Sequence, residues 1–137
     1  MNTTLPLSPL AMVIEDDEKL SIIFSEAVKQ AGFTPRTIRT GDVALQDLGA
    51  FQPWLVILDL HLPHVSGETI LKAIREDPRM AKTQVIITTA DVTMAKLLEE
   101  QGDLVLIKPV SFTQLRDLAY RVVKTRVKVS TERSSRG

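Results

Sequence analysis

Three acidic residues, a threonine and a lysine stand at the ends of short apolar runs in this sequence. Glu15 and Asp16 follow the run 10–14, Asp59 follows 54–58, Thr89 follows 84–88 and Lys108 follows 104–107. Carboxylates brought close together repel and raise one another's pKa unless a cation intervenes, so the acidic trio reads as a metal site. An all-oxygen donor set at an exposed edge suits Mg²⁺, which keeps several waters and binds through one or two carboxylates plus phosphate oxygens. A carboxylate beside such an ion, with a hydroxyl and an ammonium aimed at the same point, has the parts for phosphoryl transfer: a nucleophile, a neutralising charge and oxygen donors. Asp59 is the candidate nucleophile because it ends the central run, within reach of both sides. Glu15, Asp16 and Asp59 bring three negative charges and Lys108 with Mg²⁺ three positive ones, so an arriving phosphoryl group meets no net repulsion.

Each residue also has a plainer reading. An acidic pair before a helix caps its first turn. A lone aspartate after a strand is usually a turn residue, and a strand-end threonine can bond its own backbone. Turn preference alone does not easily supply, at four separate strand ends, the residue type that one chemistry requires.

These residues converge only if the runs are parallel strands of one sheet. The runs 10–14, 54–58, 84–88 and 104–107 are short and almost wholly apolar, as strands covered on both faces should be; 33–38 is a weaker fifth, whose Pro35 fits an edge. Between them lie segments with helical spacing. The first carries Leu20, Ile23, Phe24, Ala27, Val28 and Ala31 and is closed by Gly32; four more are expected at 42–48, 68–74, 94–98 and 112–127. This alternation predicts an α/β fold, a (βα)5 doubly wound five-stranded parallel sheet with its working site at the carboxyl edge. Residues 1–9 read as an N-terminal extension, 10–128 as the one domain and 129–137 as a flexible tail.

Composition narrows the class further. With 137 residues and 44% apolar content the chain supports one core. Lys plus Arg equals Asp plus Glu, 17 against 17, so no overall field favours nucleic acid or an anionic membrane, and the basic run 121–128 reads equally as a solvated helix face. The absence of cysteine removes disulfides and thiolate chemistry. No apolar run approaches the roughly 20 residues of a membrane span, and a cytoplasmic location is expected.

The sequence resembles the receiver domains of two-component response regulators over about residues 10–127. The matching pieces are Met-Val-Ile-Glu-Asp-Asp at 12–17, Ala-Gly-Phe at 31–33, Gly-Asp-Val-Ala-Leu at 41–45, Asp-Leu-His-Leu-Pro-His-Val-Ser-Gly at 59–67, Thr-Thr-Ala at 88–90 and Ile-Lys-Pro at 107–109. The resemblance implies a flavodoxin-like strand order 2-1-3-4-5 and a phosphoacceptor role for Asp59, with phosphoryl contacts from Thr89 and Lys108. It further implies Mg²⁺ bound by Glu15, Asp16, Asp59 and the backbone carbonyl of His61, and a cis peptide between Lys108 and Pro109. The partners it implies are a histidine kinase or histidine phosphotransfer protein and a downstream output protein or domain, with a phosphorylation-dependent dimer also in the family's range. Direct contact with nucleic acid or membrane is not expected.

Two features depart from the pattern or extend it. Receivers often carry an aromatic residue three positions before the lysine, which moves inward with the threonine; here that switch position is Val105, so output is expected to pass through backbone movement at 91–94 or through another surface. His61 and Asp91 flank the expected path of the hydrolytic water and are candidate modulators of acyl-phosphate lifetime. A receiver-like module independent of phosphorylation is the first alternative. A haloacid-dehalogenase-type phosphohydrolase is the second; it normally carries an acid two residues after its nucleophile, where this chain has His61.

Overall fold

A computed structural model describes the backbone of residues 8–136, with side chains described up to residue 127. Five parallel strands, β1 (Leu10–Ile14), β2 (Thr34–Ile38), β3 (Leu55–Asp59), β4 (Gln84–Thr89) and β5 (Leu104–Ile107), form one sheet in the order β2-β1-β3-β4-β5. Five helices follow them in turn: α1 (Glu18–Gln30), α2 (Gly41–Ala50), α3 (Gly67–Glu76), α4 (Val92–Glu100) and α5 (Phe112–Arg136); a 3₁₀ turn, Pro78–Met80, precedes β4.

Side-chain alternation along the strands splits the core into two layers. Met12, Ile14, Val56, Leu58, Ile87 and Val105 pack under α2, α3 and α4, while Ala11, Val13, Leu55, Ile57, Ile86 and Leu106 pack under α1 and α5. β3 is buried along its whole length, which its unbroken apolar run foreshadows. Full burial of a leucine- or isoleucine-sized side chain contributes about 1.5–3 kcal/mol, so the central strands form a stiff platform for whatever stands at their ends. β2 lies at an edge and pairs only with β1, as Pro35 requires of a residue that lacks an N–H.

Local signals set the helix ends. The Asp17 carboxylate accepts from the Leu20 N–H at the start of α1, and Ser66 and Asp91 cap α3 and α4 in the same way. Gly32, at φ 111°, closes α1 in a conformation that strains any residue with a Cβ.

The structure differs from the sequence expectations at several boundaries. Asp59 and Thr89 are the last residues of their strands rather than the first beyond them, because each still pairs in the ladder: Asp59 is in register with Thr88, and Thr89 with Ile107. α5 is helical to Arg136, through most of the segment 129–137 expected to be a tail. Of the expected extension 1–9, residues 1–7 lie outside the described residues. The Lys108-Pro109 peptide is cis, as expected.

Candidate functional site at the carboxyl edge of the sheet

Parallel pairing aligns the carboxyl ends of β1, β3, β4 and β5, and the loops that follow bring the anticipated residues together. Glu15 leaves β1, Asp59 ends β3, Thr89 ends β4 and Lys108 leaves β5. Carboxylate oxygens of Glu15, Asp16 and Asp59 all lie within 4.8 Å of one another. Glu15 and Asp59 are 1% and 2% exposed, burial that carboxylates tolerate only with partners, whereas Asp16 faces solvent.

Lys108 is that partner. Its Nζ lies 3.0 Å from Glu15 Oε1 and 3.2 Å from Asp59 Oδ2, and only the second contact has hydrogen-bond alignment, which leaves Glu15 Oε1 buried without a hydrogen-bonded donor. The other Asp59 oxygen, Oδ1, accepts from the His61 backbone N–H at 3.0 Å, so the side chain is held at both ends. The Thr89 hydroxyl lies 3.3 Å from His61 Nε2 and accepts from the Asp91 N–H at 3.0 Å.

The electrostatics follow from crowding. Burial, reinforced by the neighbouring Asp59 carboxylate, pushes Glu15 up to about 7; the Asp17 N–H and Lys108 pull it down without prevailing. Burial disfavours the Lys108 ammonium, yet its contacts with Glu15 and Asp59 outweigh that cost and raise its pKa above the ordinary value. An excess of buried negative charge, shared by two carboxylates around one ammonium, is the environment that a divalent cation relieves. The donors are all oxygen, and Glu15, Asp16 and Asp59 fit a hard cation such as Mg²⁺.

The family model of the response regulator receiver domain matches residues 11–120. The chain belongs to that family. Among curated relatives, this receiver is 30% identical to the probable methanogenesis regulatory protein FilR2 of Methanothrix harundinacea, covering 78% of this chain and 76% of that one. It is 33% identical to the phosphate regulon transcriptional regulatory protein PhoB of Rhizobium meliloti, covering 78% of this chain but only 48% of PhoB. Of solved structures, the signal receiver domain from Vibrio parahaemolyticus superposes with a TM-score of 0.76 at 30% identity, covering 92% of this chain and 98% of that one. The BeF3-activated DrrB receiver domain gives 0.75 at 27% identity, covering 86% and 99%. Receiver domains are signalling switches rather than conventional enzymes. Among the described residues, no helix of this one is long and apolar enough to cross a membrane.

The remaining anticipated residues fall into place unequally. His61 is exposed beside Thr89, but the Asp91 carboxylate is engaged as the cap of α4, accepting from the Met94 N–H at 3.0 Å. Val105 is buried at 8% exposure among the residues under α4, in register with Ile87.

Two contributors were given no role by the sequence reading, although Gly67 ends the motif quoted there at 59–67. Arg39, just past the weak strand β2, donates from Nη2 to the Asp16 carbonyl at 2.8 Å and, with the Glu15 N–H to Ile38 carbonyl bond, ties the loop bearing both acids to the sheet edge. Gly67 opens α3 with its backbone against Asp59 and Leu60: a Cβ there would overlap the Asp59 carbonyl oxygen and Leu60 Cα. The strand-end rule that found Asp59 also reaches Arg39 when applied to the weak strand.

Proposed function

We propose that this receiver accepts a phosphoryl group on Asp59 from a phosphohistidine of a kinase or phosphotransfer protein, and that the modified carboxylate alters a protein-binding surface. The observation that carries this reading is the convergence on Asp59 of Lys108, 3.2 Å away, and of Glu15 and Asp16, whose carboxylate oxygens lie within 4.8 Å of one another and of its own.

In the proposed reaction an Asp59 carboxylate oxygen attacks phosphorus in line, the phosphorus–nitrogen bond to the donor imidazole breaks, and the nitrogen keeps the electron pair and takes a proton. Glu15, Asp16, Asp59 and the His61 carbonyl would hold Mg²⁺, whose charge would neutralise the phosphoryl oxygens. Lys108, already against Asp59, needs only a short swing of its ammonium to follow those oxygens. The two bonds that hold the Asp59 carboxylate fix its orientation before the donor arrives. Once the acyl phosphate forms, its added charge of roughly −1.5 to −2 attracts the Thr89 hydroxyl. Because the Asp91 N–H bonds that hydroxyl and Asp91 caps α4, the pull reaches α4 through backbone and cap rather than through an aromatic ring at Val105. His61, beside Thr89, stands where it can set how long the adduct survives.

The test is incubation with acetyl phosphate and Mg²⁺ followed by intact-mass measurement. One phosphoryl adduct is expected on the wild type and none on Asp59→Asn. An adduct retained by Asp59→Asn, or sustained hydrolysis of phosphate monoesters dependent on Asp59, overturns the reading. Following the adduct's decay in His61→Ala tests the modulator role, which fails if the rate stays within about twofold.

A further inference from the structure

At the opposite edge of the sheet, where the strands begin, α5 and the starts of β3, β4 and β5 enclose an open groove of about 730 Å³. Its floor is apolar: Trp54 immediately before β3, Leu104 at the start of β5, and Leu118 and Val122 on α5. Leu104 is 43% exposed, although it begins a strand whose next two residues are core. The rim is cationic, with Lys82 on the loop before β4 and Arg121 and Arg126 on α5, and among the described residues no carboxylate lines it.

Whole-chain neutrality makes this concentration of positive charge a local arrangement. Among the described residues, none of Lys82, Arg121 and Arg126 lies within ion-pair distance of an acid. Arg126 lies over the Trp54 ring, its guanidinium carbon 4.5 Å from the centroid, and its Nη1 is buried without a hydrogen-bond acceptor among the described residues. That stacking recovers part of the lost hydration but leaves a donor unused. Burial accordingly pushes the guanidinium below its ordinary pKa.

We infer that this groove is a docking site for an acidic amphipathic peptide segment of a partner protein, with apolar side chains of the segment on Trp54 and Leu104 and its carboxylates on Lys82, Arg121 and Arg126. Charge complementarity identifies the occupant. A peptide carboxylate supplies the acceptor that Arg126 Nη1 lacks, in the paired geometry guanidinium favours. The floor needs apolar anchors, which a nucleic-acid backbone does not offer, and the groove is too open to enclose a small ligand on most sides. Asp59 lies at the other end of the strands, about 15 Å along a five-residue run, so such a partner could bind without obstructing the phosphorylation site.

Trp54 is the only tryptophan in the chain and reports directly on the floor. The experiment is selection of a random twelve-residue phage-displayed peptide library on the full chain, with selected peptides then synthesised, labelled and titrated by fluorescence anisotropy and by Trp54 emission. The expected result is enrichment of peptides combining Asp or Glu with large apolar residues. Their binding should shift Trp54 emission and weaken at least tenfold in the double variant Arg121→Glu, Arg126→Glu, while that variant keeps its circular dichroism spectrum and its phosphoryl adduct on Asp59.

Four outcomes overturn the inference: a selection that yields nothing above background; enriched peptides without acidic bias; binding within twofold of wild type in the double variant; or saturation without change at Trp54. Sedimentation showing a dimer that the double variant dissociates would assign the groove to a second copy of this chain instead. A labelled DNA duplex that binds more tightly than the selected peptides, and is released by the same variant, would assign it to nucleic acid.

Discussion

At the carboxyl edge of the sheet, Glu15, Asp59 and Thr89 are polar and buried; at the amino edge of the same strands, Trp54 and Leu104 are apolar and only partly covered, with cations on the rim. The backbone divides the same way. Gly41 and Gly67, which begin α2 and α3 at the carboxyl edge, are pressed against neighbouring chain, whereas Gly49, near the far end of α2, has nothing within 4 Å of the place its Cβ would occupy. One edge is crowded with mutually constraining polar groups and the other has room. Buried charges need partners at fixed distances, so the carboxyl edge tolerates little displacement, whereas apolar contact and rim charge can accommodate varied partners.

Gly67→Ala is the strongest way to break that contrast. The new Cβ would meet the Asp59 carbonyl oxygen and Leu60 Cα, both backbone atoms of a buried strand end, so neither can swing aside as a side chain would. The expected loss is about 2–3 kcal/mol, read as a lower urea midpoint at unchanged slope. A variant as stable as the wild type would mean that the α3 start moves freely, and the crowding described for this edge would be wrong.

Proton linkage gives the next effect. Glu15 is raised from 4.5 to about 7, so between those pH values the folded chain holds more protonated Glu15 than the unfolded chain does. Stability therefore falls as pH rises through that window, the reverse of a salt-bridged carboxylate whose pKa is depressed. In buffer without divalent cations, the Tm is expected to fall steadily as pH rises across the window, from this group. Glu15→Gln should remove that component. Equal pH slopes in wild type and variant would show that Lys108 already neutralises Glu15 completely.

How much of this was legible in the sequence depended on how local each signal is. Five strands and five helices follow from apolar runs and helical spacing, and Pro35 suits 33–38 to an edge or irregular strand. The strand-end rule finds Glu15, Asp16, Asp59, Thr89 and Lys108 because each stands beside its own strand. What it cannot yield are relations between elements. The position of Lys108 between two acids, the bond from Arg39 to the Asp16 carbonyl and the contact of Gly67 with Asp59 all join segments distant in sequence. At Asp91 a cap and a modulator place the same residue type at the same position, and only the bond to the Met94 N–H reveals the capping contact. The groove at the amino edge was also hidden, because Arg121 and Arg126 read as part of a solvated basic face until Trp54 is seen beneath one of them.

Gly49→Ala has the smallest expected effect and the opposite sign. Gly49 is exposed within α2, and its φ lies outside the left-handed region that favours glycine. Alanine there restricts the unfolded chain and favours the helix, worth up to about 1 kcal/mol in a helix interior and roughly half that one residue from the end of α2. A gain of about 0.5 kcal/mol, read as a higher urea midpoint, is expected, with phosphoryl labelling of Asp59 unchanged. Since Gly41→Ala in the same helix would meet the Val65 backbone and side chain, the pair should move stability in opposite directions. If both variants lose stability, room at the amino edge is not what separates the two ends, and the contrast rests on Gly67 and the buried acids alone.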